Sequence, residues 1–275
     1  MMNPPYVVAT APIPSPMLSP VQVDGSNMVT LSDAKISMLL DQGFTKGLVE
    51  TLVRSVKDFP LRIWVVDNSG SMQASDGRRI VPTKSRNDVR FVECTRWEEI
   101  KDCVKYHMEL TALLSAPASF RLLNHPGYSV GSSQIDVAQM GESNIRNEVS
   151  IGMNIMDKTQ PKGVTPLIPH IQEISKVINS LAPQLVSEGK RVAVIIATDG
   201  LPTDSQGTHS PSIVRDFVDS LKVLEGLPVW LVIRLCTNES GVVVCYFRFH
   251  NCLLIWFKIV MKFIFILGFR SSTTT

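Results

Sequence analysis

The chain is most constrained by one abrupt step, from Leu61-Arg62-Ile63-Trp64-Val65-Val66 to Asp67-Asn68-Ser69-Gly70-Ser71. The first run is rich in strand-favouring residues and apolar on both faces, which predicts a buried central strand of a largely parallel sheet. Ligand sites in such sheets lie just beyond the carboxyl ends of the strands. There the sequence sets one carboxylate and two hydroxyls at alternate positions, Asp67, Ser69 and Ser71. Alternate residues of an extended segment point the same way, so the three can converge. A carboxylate with neutral oxygens suits a hard divalent cation such as Mg²⁺. The structural alternative is a capped turn, with Asp67 or Ser69 closing the start of the next helix.

Two later stretches bear on that choice. Gly163-Val164-Thr165-Pro166-Leu167 carries a lone threonine before a helix, and Ala197-Thr198-Asp199-Gly200 ends the apolar run Val192 to Ile196. The set D-x-S-x-S after a strand, a threonine at a helix start and T-D-G after a second strand resembles the von Willebrand factor A (vWA) domain. The resemblance spans about Pro60 to Cys236. It implies a metal-ion-dependent adhesion site (MIDAS) formed by Asp67, Ser69, Ser71, Thr165 and Asp199, with Mg²⁺ or Mn²⁺ as the metal. Ser69 and Ser71 would hold the metal directly, Asp67 directly or through water, and Thr165 and Asp199 by a switchable mixture. An Asp or Glu carboxylate from a protein partner would fill the open position. The implied fold is α/β, a Rossmann-like three-layer sandwich whose mostly parallel central sheet is flanked by helices. It includes one short antiparallel edge strand, which the residues themselves do not place.

Strand and helix patterns alternate through the middle of the chain, which independently predicts an α/β sandwich with right-handed crossovers. Arg96 to about Ser115 has a helical apolar period in Trp97, Ile100, Val104, Met108 and Leu114, with His107 beside it as a packing residue. Ser119 to Leu123 reads as a strand, Tyr128 to Met140 as loop, and Glu142 to Lys158 as helix. Pro166 suits the first residue of a helix, which makes Thr165 its N-cap; Leu167, Ile171, Ile174, Ile178, Leu181 and Leu185 form that helix's stripe. Ser210-Pro211 repeats the device, and Pro228 to Cys236 is a third apolar strand.

The flanks differ. Residues 1–30 hold prolines 4, 5, 12, 14, 16 and 20 and read as a disordered leader without a signal peptide. Residues 31–59 read as a helical hairpin, with Ser32 as N-cap and Gly43 past the end of its first helix. Its LLDQGFTKGLVETL resembles half of a ubiquitin-associated domain, but the third helix is missing. The polar, basic stretch Gln73 to Asp88 reads as a solvated loop or hairpin. The domain proper is expected over residues 60–238. Residues 239–275 have no acidic group after Glu239 and no clear period, so they are expected to lie outside the folded domain as an atypical hydrophobic tail, with a membrane-associated segment as the second reading and a final strand as the third. Lys258 and Lys262 weaken it as a membrane span, at roughly 2.5–3.5 kcal/mol each on insertion scales.

Composition narrows the function. A net charge of +2 over 275 residues leaves no nucleic-acid footprint. Cys94, Cys103, Cys236, Cys245 and Cys252 are odd in number and form no C-x-x-C, which favours a reducing compartment. The expected setting is therefore intracellular and cytoplasmic, with membrane association through residues 242–269 as the alternative. The chain is expected to be a metal-dependent protein–protein interaction module and not an enzyme. The rival is a Mg²⁺-dependent phosphotransferase or hydrolase of the strand-end Asp type. Such enzymes resemble D-x-D at the first motif, and Ser69 stands where the acid/base carboxylate would be.

Overall fold

The run Leu61 to Val66 forms the central strand β1 (Leu61–Val66) in a computed structural model that describes residues 31–82, 89–252 and 257–260. Its neighbours are β4 (Ala118–Leu122) and β6 (Val192–Thr198), both parallel to it. Beyond β4 lies β5 (Gln134–Val137); beyond β6 lie β7 (Val229–Leu235) and β8 (Phe257–Val260). The six-stranded order is β5-β4-β1-β6-β7-β8, and only β5 runs antiparallel. This is the expected α/β class: a mostly parallel sheet between two helical layers. β1, β4 and β6 end on one side, and Val66 sits opposite both Leu122 and Ala197. That register brings the loops after β1, β4 and β6 together.

Alternation along β1 divides the core into two layers. Ile63 and Val65 join Ile171, Ile174, Phe217 and Leu231 beneath α5 (Leu167–Ser187) and α6 (Pro211–Lys222). Trp64 and Val66 join Ile100, Met108, Phe120 and Met156 beneath α3 (Arg96–Leu114) and α4 (Ile145–Lys158). Strict burial of both faces explains why β1 reads as a continuous apolar run. His107 packs its ring against Trp64, with centroids 4.7 Å apart, and burial pushes its pKa down to about 3. It is a packing histidine, as its place beside the stripe suggests.

The leading hairpin is present as α1 (Asp33–Asp41) and α2 (Lys46–Asp58). Ser32 accepts from the Lys35 amide at 3.4 Å, and Gly43 takes φ +92°, as a residue past a helix end does. Leu39, Val49 and Val56 pack on Leu114 and Ala116 at the end of α3. The basic stretch after the first loop forms a two-stranded hairpin, β2 (Gly77–Pro82) with β3 (Val89–Cys94). Gly77 permits its base: a Cβ there would stand 2.4 Å from the Thr95 carbonyl oxygen. Residues 1–30, read as leader, lie outside the described residues.

Three expectations need correction. Tyr128 to Met140, read as loop, contains β5, the short antiparallel edge strand. Its four residues are too few to show a period. Thr165 does not cap α5: the helix starts at Leu167, Pro166 holds the cap position, and no side chain caps it. The Thr165 amide instead donates to the Thr203 hydroxyl at 3.0 Å. The expected break after residue 238 is also overturned. Ser240–Cys252 is a helix, α7, and β8 adds a parallel strand beside β7. Val242 and Tyr246, one turn apart on α7, are buried among the α5–α6 core. The rest of the supposed tail lies outside the described residues. Among the described residues no helix is long and apolar enough to cross a membrane.

Candidate metal site at the strand ends

Asp67 follows the last residue of β1, and its amide donates to the Ala197 carbonyl at 2.9 Å. This bond extends the β1–β6 ladder by one step and turns the Asp67 side chain into the sheet end. The carboxylate is fully buried. Its Oδ1 accepts from the Ser69 amide at 2.8 Å, and its Oδ2 accepts from the Thr198 hydroxyl at 2.6 Å. A short 3₁₀ turn (Gly70–Gln73) then brings Ser71 back beside Ser69, with the hydroxyls 3.0 Å apart. From the end of β6, Asp199 Oδ1 accepts the Ser71 hydroxyl at 2.8 Å. Four of the five expected residues therefore form one connected cluster. Asp67, Ser69 and Asp199 are buried within it, while Ser71 is exposed at its rim.

Thr165 belongs to the same end of the sheet but is not wired into the cluster. A Cβ placed on Gly200 would lie 3.8 Å from its hydroxyl oxygen. Among the described residues that hydroxyl makes no hydrogen bond to the other four. The Thr165 loop is positioned from beneath by two asparagines. Asn68 donates to the Asn124 carbonyl and accepts from the Asn124 amide, both at 2.8 Å. Asn124 in turn donates to the Val164 carbonyl at 2.8 Å. Gly163 takes φ +87°, and a Cβ there would meet Asn124 Oδ1 at 2.6 Å, so glycine is required twice over.

The electrostatics are those of two carboxylates brought close in a dry setting. Burial, and then the charge of Asp199, push the Asp67 carboxyl up to about 6 against the opposing hydrogen bonds from Ser69 and Thr198. Arg96, the first residue of α3, approaches from the other side. Its Nη1 donates to Asp199 Oδ2 at 2.9 Å. Nε and Nη2 grip Asp76 at 2.6 and 3.0 Å, and Nη2 also reaches Glu239 at 2.9 Å. Burial opposes the charge on Arg96, but the bonds to Asp76, Asp199 and Glu239 outweigh it and raise its pKa above the ordinary arginine value. From α7 the Tyr246 hydroxyl donates to the Gly200 carbonyl at 3.0 Å. Asp204, on the same rim, accepts from the amides of Gln206 and Thr208 and caps its own loop.

Sequence reasoning missed Arg96, Thr198, Asn68, Asn124 and Tyr246. One signal was available for Arg96: a cation at the first position of a helix opposes the helix dipole, so it needs an acidic partner elsewhere. Thr198 lies inside the T-D-G motif. Tyr246 carried no signal. Chemically, two carboxylates and adjacent hydroxyls form an all-oxygen set of the kind that suits Mg²⁺ or Mn²⁺, so the residues present fit the metal.

No family model matches the chain, and no curated protein matches it. Among solved structures the chain is similar to a crystal structure of the SpRpn10 VWA domain, at 10% identity and a TM-score of 0.43. The alignment covers 73% of this chain and 86% of that one. The fold assignment rests on the strand order and pairing described above.

Proposed function

We propose that the protein is a divalent-cation-dependent protein–protein interaction module of the vWA type. Mg²⁺ or Mn²⁺ would be held by Asp67, Ser69, Ser71 and Asp199, with Thr165 contributing from its adjoining loop. The metal would supply an open, electrophilic position for an Asp or Glu carboxylate of a protein partner. The single observation that supports this reading most is the pair of buried carboxylates, Asp67 and Asp199, tied through Ser69 and Ser71, with Asp67 pushed up to about 6. A carboxyl raised by burial and a like charge is stabilised by an added cation. The chain's own residues do three things in this reading. Thr198 and the Ser69 amide orient Asp67, Asn68 and Asn124 set the Thr165 loop, and Ser71 opens the cluster to solvent.

Catalysis is not part of the proposal. A nucleophilic Asp67 would need a proton donor, and the position two residues on is Ser69. Calorimetric titration with Mg²⁺ and Mn²⁺ tests the reading. Wild type should bind one equivalent, and Asp67→Ala should bind none while keeping its circular dichroism spectrum. Equal affinity in the two proteins would sink the idea. A pull-down with and without EDTA then identifies partners that depend on the metal.

A further inference from the structure

Arg96 meets every requirement of an internal cation for the carboxylate cluster. Its side chain is 7% exposed, and its three guanidinium nitrogens all donate to carboxylates. Two of those carboxylates, Asp76 and Glu239, are 47% and 62% exposed and well solvated. The third, Asp199, is wholly buried and has no solvent to balance its charge. The two oxygens of Asp199 are divided between two tasks: Oδ2 faces Arg96 and Oδ1 receives the Ser71 hydroxyl. The main chain of Arg96 is fixed as well, its amide donating to the Ala74 carbonyl at 2.9 Å. The guanidinium thus spans the loop after β1, the loop after β6 and the approach to α7.

We propose that Arg96 is a positioning residue that acts as a built-in counter-cation, holding Asp199 turned toward Ser71 and weakening the site's affinity for a divalent metal. The proposal rests on the metal-site reading above and adds its regulation. A guanidinium and a divalent cation that share one buried carboxylate repel each other across a few ångströms with little solvent between them. The cluster without metal is held together because one positive charge is already present. With metal present, the same charge leaves the ion less neutralised and more attractive to an outside carboxylate. Removal of Arg96 should therefore tighten metal binding while it loosens the metal-free protein. Loss of a purely structural arginine would weaken both.

The test is Mn²⁺ titration by calorimetry on the full chain, paired with thermal unfolding in EDTA and in Mn²⁺. Arg96→Met should bind Mn²⁺ about 10-fold tighter or more, unfold at lower temperature in EDTA, and gain more from Mn²⁺ than wild type does. Arg96→Lys keeps the charge and should stay within about 3-fold of wild type. Asp76→Asn leaves the guanidinium charge less compensated and should weaken Mn²⁺ binding a few-fold. If wild type binds Mn²⁺ and Arg96→Met binds equally or less well, the proposal is overturned and the metal-site reading stands. Binding by Arg96→Met alone would support the proposal and overturn the metal reading for wild type. Absence of binding in every protein overturns both. Should Arg96→Met fail to fold, Asp76→Asn decides: affinity equal to or above wild type overturns the proposal.

Discussion

At the strand ends Asp67 departs well away from ordinary carboxylate chemistry. Its carboxyl lies at about 6 in the folded chain against 3.8 ordinarily. Between those values the folded protein binds a proton that the unfolded chain does not. Stability therefore falls as pH rises through that window, by about 3 kcal/mol in full. His107 has the opposite sign: with its pKa at about 3 against 6.5, it adds stability that is lost as pH falls below about 6.5. Asp67→Asn shares the His107 contribution, so a comparison with wild type isolates the carboxylate. In EDTA, urea unfolding should show wild type losing about 2 kcal/mol relative to Asp67→Asn between about pH 4.5 and about pH 7.5. Saturating Mg²⁺ should remove that loss in wild type. A gap independent of pH would mean that Asp67 does not titrate in this range.

At the scale of elements, α7 decides how the sheet is closed. Among its described side chains Val242 and Tyr246 are buried, and the Tyr246 ring meets Phe217 of α6 edge-on at 6.1 Å. The hydroxyl of the same residue reaches Gly200 in the second site loop. Packing and site geometry therefore share one side chain. Tyr246→Phe keeps the ring and loses the bond, and should cost about 1–2 kcal/mol in denaturant unfolding. Tyr246→Ala should cost about 3–5 kcal/mol. A chain ending at Asn238 would strip this helix and the β8 edge from β7. It should lose cooperative unfolding, and full stability in that shorter chain would show that α7 is not part of the core.

The whole molecule is a scaffold that aligns strand ends. Because β1, β4 and β6 run parallel in register, the loops that follow them open on the same side, and the polar residues of all three meet there. The arrangement supplies oxygens and one fixed arginine, and under the binding reading proposed above Ser69 stands two residues after Asp67, where a strand-end phosphotransferase would carry its acid/base carboxylate. Purified protein with Mg²⁺ should accordingly show no turnover of phosphate esters or nucleotides above background. Reproducible turnover that disappears in Asp67→Asn would replace the binding reading with an enzymatic one.

Local pattern carried a large part of this outcome. Runs apolar on both faces marked β1 and β6 as central strands, because a strand covered by helices on both sides has no polar face to show. The helical stripes of α3 and α5 were legible for the same reason: burial imposes a period on a long element. Asp67, Ser69, Ser71 and Asp199 stood out because they interrupt such runs abruptly. Other features depended on contacts between distant residues. β5 has only four residues and owes its conformation to pairing with β4. α7 looked patternless beside the hydrophobic residues that follow it, and only its seat on α5 and α6 selects Val242 and Tyr246 for burial. Arg96 meets Asp199 across 103 positions of chain. No local period encodes that approach; it exists because α3 starts at the end of the sheet where β6 delivers its aspartate.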